Sequence, residues 1–247
     1  MNPPLGLEKW LPFISSQMRS ANPAVRPGEE TGLLTITISR QTGSGAHAVA
    51  EHLADYLRAH SPQSSCPWTV FDRNLVERVL DDHNLPRRLA RFMPEDRVPE
   101  FADVLDELLG AHPPSWTLVR QTAETILELA KQGNVILIGR GANVITSKLD
   151  HAFHVRLVGS LDRRVEHIQE LQGLGKRAAR ELILREDRGR KRYLKKHFDT
   201  DLENPLLYHL VINTDLVSYQ KAAILIGTAA INHVHSRESE PTNGRAE

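Results

Sequence analysis

Short apolar runs alternate along the chain with longer segments in which apolar residues recur every three or four positions. The short runs occupy residues 33–39, 68–71, 135–138, 153–158 and 210–213. Their length and their β-branched and aromatic residues predict buried strands. The longer segments between them predict amphipathic helices. Strands that alternate with helices predict an α/β fold in which a parallel sheet is wrapped by helices.

The predicted helices have recognisable faces and ends. The apolar face of the first helix comprises Val49, Ala50, Leu53, Ala54 and Leu57. The face of the helix before the third strand comprises Trp116, Val119, Ala123, Ile126 and Ala130. That helix is expected to end at Gly133, because glycine commonly follows a helix C-terminus. Ser160 fits an N-cap for the helix after the fourth strand, and the last helix is expected to end near Ile231.

Three regions of the chain differ in composition. Residues 1–32 carry several prolines and glycines, and we expect them to form an N-terminal extension. Residues 33–234 contain the whole strand and helix pattern and are expected to form one domain. Residues 235–247 show no apolar periodicity and are expected to be a disordered tail.

Composition and charge exclude several classes of function. The chain has 31 Lys+Arg and 31 Asp+Glu residues, so no overall basic excess favours nucleic-acid binding. No apolar run has the length of a membrane span, and no N-terminal signal segment is visible. The single cysteine, Cys66, has no partner for an internal disulfide. These features predict a cytoplasmic protein.

Polar residues follow three of the predicted strands. The sequence Thr42-Gly43-Ser44-Gly45 comes after the first strand, Asp72 after the second and Arg140 after the third. In parallel α/β sheets, ligands bind at this carboxyl edge. Glycines let backbone N–H groups point at a phosphate, and the following helix adds partial positive charge. We therefore expect a phosphate-binding turn, with a tight turn that binds nothing as the alternative.

This turn departs from the full P-loop pattern, G-x-x-x-x-G-K-[ST]. Aligned on Gly45, the first glycine is Arg40, the lysine is Ala46, and the Ser/Thr that would hold magnesium is His47. The backbone cradle is retained without the side chains that usually supply charge and metal binding. His47 is either a cation that faces the phosphate or a neutral, packed histidine.

The stretch ITISRQTGSGAHAVAEHLADYL resembles the opening of the cytidylate-kinase-like family of P-loop proteins. The blocks FDRNLVERVL, GNVILIGRGANVI, EDRGRKRYLKKHF and YHLVINT follow in the same order, so the resemblance covers about residues 35–231. It implies a P-loop NTPase fold of the nucleoside-monophosphate-kinase type, with a five-stranded parallel sheet, wrapping helices and a helical lid. It also implies ATP as donor, with Mg²⁺, bound along residues 40–47.

The resemblance also assigns roles to charged residues. Arg140 corresponds to the Gly-Arg-Asp segment that binds the acceptor nucleotide, although the aspartate is Gly141 here. Arg120 resembles a second arginine for the acceptor phosphate. Asp187 and Arg190 match the lid's Asp-x-x-Arg, which closes arginines over the transferring group. Each has a structural alternative: Arg140 pairs with a carboxylate at the core edge, and the other charges belong to solvated helix faces.

The lid and the end of the second strand contain further candidate residues, each with an alternative role. An arginine expected four residues before Asp187 is Ile183, and Arg185 would replace it only on a shifted helix face. Arg192 is a further, weaker candidate in the lid. Asp72 either begins a nucleotide-binding segment or caps the next helix.

These observations lead to a first hypothesis and two alternatives. The first is ATP-dependent phosphoryl transfer to a nucleoside monophosphate such as CMP or dCMP. The alternatives are a nucleotide-binding regulatory module with weakened catalysis, suggested by Ala46 and His47, and a kinase for a non-nucleotide small molecule. We expect no nucleic-acid or membrane partner. The base preference, the metal site and the oligomeric state stay open.

Overall fold

The computed structural model describes residues 34–60, 67–72 and 115–238. The strands are β1 (Thr35–Arg40), β2 (Thr69–Phe71), β3 (Val135–Ile138), β4 (Ala152–Val158) and β5 (Leu210–Asn213). The helices are α1 (Ala46–His60), α2 (Ser115–Gln132), α3 (Ala142–Ile145), α4 (Leu161–Gln172), α5 (Lys176–Phe198) and α6 (Tyr219–Glu238). A 3₁₀ turn spans Pro205–Leu207. The predicted strands are confirmed, with ends that differ by at most two residues.

The five strands form one sheet in the order β2-β3-β1-β4-β5. Every neighbouring pair is parallel, with Ile38 of β1 opposite Ile138 of β3 and Val155 of β4. The predicted five-stranded parallel sheet is therefore confirmed. Because the strands run in one direction, the glycine-rich turn after β1 and the Arg140 segment after β3 lie at the same edge of the sheet.

One face of the sheet is packed against α1 and α6. Ile36, Ile38 and Val155 are fully buried there, and they share a core cluster with Ala222 and Ile226 of α6. The predicted apolar face of α1 is confirmed, since all five of its residues are buried. Small residues on α6 allow the two helices to lie close: a Cβ on Gly227 would come within 2.4 Å of the Tyr56 ring.

The other face is apolar over β2 and β3 and polar over β1 and β4. Phe71, Val135 and Leu137 pack against Ile126 and Ala130 of α2. On β1 the threonines at this face bond to their surroundings: Thr35 donates to the Ala130 carbonyl at 2.9 Å, and the Thr37 hydroxyl lies 2.9 Å from His154 Nδ1. Arg156 and Ser39 continue this polar strip toward the carboxyl edge.

The predicted helix faces and ends are partly corrected. The buried face of α2 includes Thr122, Thr125 and Leu129, whereas Ala123 is only half-buried, and the Trp116 side chain lies outside the described residues. The predicted end near Ile231 is wrong, because α6 continues to Glu238. No glycine or proline interrupts residues 228–238, and Val234 still packs against the core.

Two predicted regions lie wholly or partly outside the described residues. The extension at residues 1–32 is among them, as are residues 239–247 of the predicted tail. The helical residues 235–238 belong to α6 and correct the start of that tail. In the described part of the chain, no helix combines the length and the apolar character needed to span a bilayer.

The buried histidine on the polar strip should make stability depend on pH. Burial, followed by the charges of His209 and His233, lowers the pKa of His154 from 6.5 to about 4. The folded state then binds fewer protons than the unfolded state, so the free energy of unfolding should fall by roughly 3 kcal/mol between pH 6.5 and 4. Replacing His154 by Gln should remove most of this loss in chemical denaturation curves.

The exposed His52 provides the control. His52→Gln should leave the dependence of the unfolding free energy on pH as in the wild type. A wild-type slope retained in His154→Gln would contradict the assignment, because another group would then carry the pH dependence.

Candidate functional site

The turn between β1 and α1 is built on two glycines in the left-handed region. Gly43 has φ 84° and Gly45 has φ 77°, a conformation that other residues adopt at a cost. The turn closes through Ser44 N–H, which donates to the Gln41 carbonyl at 3.2 Å. Side chains are also excluded by close neighbours: a Cβ on Gly43 would lie 2.6 Å from the Arg164 carbonyl oxygen. The left-handed backbone and the close neighbours therefore explain why these positions are glycine.

Backbone donors collect where this turn enters α1. Within the described residues, the N–H groups of Gly43, Gly45 and Ala46 have no acceptor. They lie at the N-terminus of a 15-residue helix, where the helix dipole adds partial positive charge. Unpaired N–H groups in this position bind oxyanions. The arrangement has the geometry of a phosphate cradle.

The lid helix α5 is folded directly onto the turn. Thr42 N–H donates to Asp187 Oδ1 at 2.8 Å, and the Thr42 hydroxyl donates to Glu186 Oε2 at 2.9 Å. Arg190 contacts both the Thr42 hydroxyl and the Asp187 carboxylate. Asp187 and Arg190, three residues apart, lie on one face of α5 and form an ion pair. The fold also brings both residues to the turn.

Arg164, on the first turn of α4, completes this cluster. Its Nη1 donates to Asp187 Oδ2 at 2.7 Å and to the Thr42 carbonyl at 3.1 Å, while its Nε donates to the Gly159 carbonyl at 3.0 Å. Its side chain is only 9% exposed. Sequence reasoning missed it. The signal was present, because Arg164 falls four residues before Ile168 and three after Leu161, on the apolar face of the helix.

The cluster holds the Asp187 carboxyl in its ionised form. Burial raises the pKa of Asp187, but the hydrogen bond from Thr42 N–H and the charges of Arg190 and Arg164 outweigh it and leave the pKa below 3.8. One donor in the cluster has no acceptor in the described part of the chain: Arg190 Nε is fully enclosed and unpaired. Two guanidiniums and two carboxylates, Asp187 and Glu186, therefore meet beside the unpaired N–H groups of the turn.

Arg140 lies at the same edge of the sheet, directly after β3. It is buried and adopts φ 57°, between Gly139 and Gly141, which are also left-handed. A side chain at Gly141 would meet the Phe198 ring of α5, with the nearest carbon at 3.0 Å. The aspartate that the family pattern has at this position would be strained here, and the backbone turns sharply instead.

The other predicted site residues lie in different surroundings. Arg40 ends β1 and is half-buried, and Ala46 packs in the core cluster of α1. His47 is exposed, with Nδ1 3.4 Å from Asp72 and Nε2 3.6 Å from Glu51. The second helix that Asp72 was predicted to cap lies outside the described residues.

The structure does not bring Arg120 into the cluster around Asp187. Arg120 is exposed on α2, where its Nε donates to Glu124 at 2.9 Å. Arg185 and Arg192 are exposed on α5. Ile183, at the position where the family pattern has an arginine, is fully buried against α4, so it joins the lid to the domain by packing.

A polar cavity of about 350 Å³ opens beside the turn. Its lining includes Gly43, Arg164, His167, Asp215 and Tyr219. The Tyr219 ring covers the turn, since a Cβ on Gly45 would come within 2.2 Å of it. Burial raises the Tyr219 pKa, and the nearby Glu170 and Asp215 raise it further, so its hydroxyl stays protonated. A space of this size next to a phosphate cradle fits the sugar and base of a nucleotide.

The residues present do not form a preassembled metal site. In the ranges that the structure describes, no group of three His, Cys, Asp or Glu side chains is arranged to hold a metal ion. Two carboxylates, Asp72 and Glu51, flank His47 at the start of α1. Mg²⁺ bound with a nucleotide is held mainly by phosphate oxygens and water. The donor set therefore fits a metal that arrives with the nucleotide.

Several known proteins are similar in sequence to this chain. The cytidylate kinase of Pyrococcus horikoshii is 30% identical over 202 residues, which cover 81% of this chain and 90% of that protein. The cytidylate kinase of Methanocaldococcus jannaschii is 25% identical over 161 residues, 64% of this chain and 90% of that protein. A 109-residue match at 28% identity to a uronate isomerase of Corynebacterium glutamicum covers 44% of this chain and 21% of that protein, so the chain spans about a fifth of its length.

A solved structure and a family profile agree on the fold. An uncharacterized protein from Eubacterium ventriosum superposes with a TM-score of 0.60 at 20% identity, over 83% of this chain and 99% of that chain. The profile of the cytidylate kinase-like family matches residues 35–216, from β1 through the loop after β5. The chain therefore belongs to the cytidylate kinase-like family.

Proposed function

We propose that this protein transfers a phosphoryl group from ATP to a nucleoside monophosphate of the CMP or dCMP type. Family membership supports phosphoryl transfer in general. The observation that carries the finer proposal is the convergence of Arg164 and Arg190 on the glycine turn, next to the unpaired N–H groups of Gly43, Gly45 and Ala46. Phosphoryl transfer depends on positive charge around the transferring group, and these two guanidiniums are held beside the turn that would bind the phosphates.

The turn would hold the donor phosphates. Backbone N–H groups at the start of α1 bind phosphate oxygens, and the neighbouring cavity bordered by His167 and Tyr219 accepts the nucleoside. The turn lacks the P-loop lysine, since that position is Ala46. Arg164 reaches the same place from α4, held against the Thr42 and Gly159 carbonyls. A fixed guanidinium also contacts phosphate through two N–H groups, which a lysine cannot do.

The lid would close the Arg190 guanidinium over the transferring phosphoryl group. Arg190 projects from α5 onto Thr42, and its enclosed Nε is an unused donor. Asp187 now accepts the Thr42 N–H and holds both arginines. A phosphate arriving at the turn competes for those same donors. We infer that Asp187 keeps the two guanidiniums oriented until the phosphate replaces it as their ion-pair partner.

The acceptor side is proposed at Arg140, with Arg120 as the second candidate. Arg140 is buried at the carboxyl edge of the sheet, one strand from the turn. When Mg²⁺ is bound with the nucleotide, it neutralises phosphate charge that the chain's own residues do not reach. The residues of this chain bind, orient and enclose the reactants.

A second candidate function, nucleotide binding without turnover, is favoured by a specific contact. The Asp187 carboxylate accepts the Thr42 N–H in the cradle, and Ala46 is packed in the core at the position of the P-loop lysine. A third, phosphorylation of a non-nucleotide molecule, is favoured by Gly141, which removes the acidic side chain of the acceptor segment. A panel of acceptors separates the three.

Purified protein with ATP and Mg²⁺ should form ADP in the presence of CMP, dCMP or UMP in a coupled assay. Arg190→Met should lower kcat by about a hundredfold to a thousandfold, because it removes charge from the transferring group. The matched control is Arg177→Met on the same helix, whose side chain is 94% exposed and bonded to Glu181. It should leave kcat unchanged.

The same panel tells the alternatives apart. Calorimetric binding of ATP with no ADP above background for any acceptor would replace the kinase proposal by the binding module. ADP formation with a sugar or another non-nucleotide alcohol, while CMP is inert, would select the third function.

The Asp187 cluster should also contribute to stability. Asp187→Asn removes the carboxylate that pairs with Arg164 and one of the two that pair with Arg190, and it should lower the free energy of unfolding by about 3 kcal/mol at pH 7. Because the folded pKa of Asp187 lies below 3.8, this difference should be full above about pH 4 and vanish as the pH falls further. Asp55→Asn, which affects an exposed pair with Arg58, should change stability little in the same urea titrations.

A further inference from the structure

Arg156 is a second buried cation at the sheet, and it is separate from the cluster on the turn. It lies in β4 opposite Ser39 of β1 and is 5% exposed. Its Nη1 donates to Ser39 Oγ at 3.2 Å, and its Cζ lies 5.6 Å from the centre of the Tyr208 ring. Among the described residues, no carboxylate comes within ion-pair distance of it.

This surrounding is unusual for a buried charge. Removing a cation from water is unfavourable unless an anion and hydrogen bonds replace the water. Arg164 and Arg190 are buried to a similar degree, and each reaches Asp187. Arg156 has one hydroxyl and one aromatic face, which offset only part of the desolvation. Within the described residues, the burial of Arg156 is therefore offset less than that of Arg164 and Arg190, a feature typical of binding sites.

The donors around Arg156 outnumber the acceptors. A guanidinium has five N–H donors, and within the described part of the chain a single hydrogen bond uses one of them. The Tyr208 hydroxyl donates to the Leu202 carbonyl at 2.8 Å, while its contact with Ser39 Oγ is a long 3.3 Å. The Ser39 hydroxyl can therefore turn its proton toward a ligand. A guanidinium beside a hydroxyl is a recognition pair for an oxyanion.

The Arg156 guanidinium and the Ser39 hydroxyl lie close enough to the glycine turn to hold an acceptor. Ser39 lies three residues before Thr42, so at the rise of an extended strand it is at most about 10 Å from the turn. It also lies at the carboxyl edge of the sheet, where ligands of parallel α/β folds bind. A small molecule held there extends toward the cradle.

We propose that Arg156, with Ser39 and Tyr208, forms an oxyanion site that binds a phosphate or carboxylate group of the acceptor. The identification of the ligand as the acceptor rests on the proposed function, but the anion site itself can be tested without turnover. Arg156 is a specificity-determining residue under this proposal. Acceptors that lack an anionic group would bind more weakly, because Arg156 would have no group to contact.

The first test measures stability in a buffer free of phosphate and sulfate. Arg156→Met removes the unpaired charge and keeps an apolar side chain of similar length, so its Tm should be higher than that of the wild type. Arg177→Met, an exposed arginine on α5, should leave the Tm unchanged. A clearly lower Tm for Arg156→Met would show a structural arginine and would count against the proposal.

The second test titrates inorganic phosphate and, separately, acetate. Phosphate should raise the Tm of the wild type and of Arg177→Met, and its affinity should fall by at least about tenfold in Arg156→Met. An equal response to acetate would identify a carboxylate as an acceptable group, and a response to phosphate alone would identify a phosphate ester. Phosphate affinity unchanged in Arg156→Met would overturn the proposal.

Two further variants keep the test decisive if Arg156→Met does not fold. Arg156→Lys keeps the charge but loses the paired N–H donors, and Ser39→Ala removes the hydroxyl; each should weaken phosphate binding several-fold. Wild-type affinity in both would overturn the site. ATP binding and turnover are measured alongside, because their absence in the wild type would sink the proposed kinase activity without affecting the phosphate titration.

Discussion

The Asp187 carboxylate joins three segments that lie far apart along the chain. It accepts the Thr42 N–H from the turn after β1, a guanidinium from Arg164 on α4, and a second one from Arg190 on its own helix. The lid helix is held on the domain by this ion cluster and, one helical turn earlier, by the apolar packing of Ile183 against α4. The place where the lid's charge acts depends on both, and the Asp187 carboxylate fixes the direction of the two guanidiniums.

Under the proposed function, the same cluster compensates for the absence of the P-loop lysine. Phosphate needs N–H donors and positive charge, and it does not matter to the electrostatics which segment supplies the charge. Here the backbone donors come from the turn and the guanidiniums come from α4 and α5. Arg156 adds a further cation on the other side of β1, with no described carboxylate beside it. Concentrating cations at one edge lowers the stability of the empty protein and favours binding of anions.

Much of the fold could be predicted from the sequence because burial leaves a periodic pattern. The β-branched runs of β1 and β3 and the 3.6-residue pattern of α1 are local, so the strands, the parallel sheet and the face of α1 were confirmed. The end of α6 was predicted wrongly, since the weak amphipathic pattern after Ile231 hides a helix that packs through Val234. Helix ends depend on tertiary contacts that a local pattern does not contain.

The candidate site also combines features that are local in the sequence with features that depend on tertiary contacts. The glycine turn and the spacing of Asp187 and Arg190 are local features, and both were visible in the sequence. Arg164 gave only a weak signal, its position on the apolar face of a helix, and Arg156 gave none, because a single arginine in a strand reads as an ordinary charge until its neighbours are known. Arg120 was a candidate through the family resemblance, and the structure places it in an exposed pair with Glu124.

The sequence by itself determined the order of strands and helices, the parallel sheet and the glycine turn after β1, because each follows from periodicity or from the backbone freedom of glycine. Only the tertiary structure decided which charges meet that turn. Residues 42, 164 and 187 come together through the packing of α4 and α5 against the sheet, and the direction of a long side chain depends on all of that packing. The ion cluster is therefore a property of the folded chain.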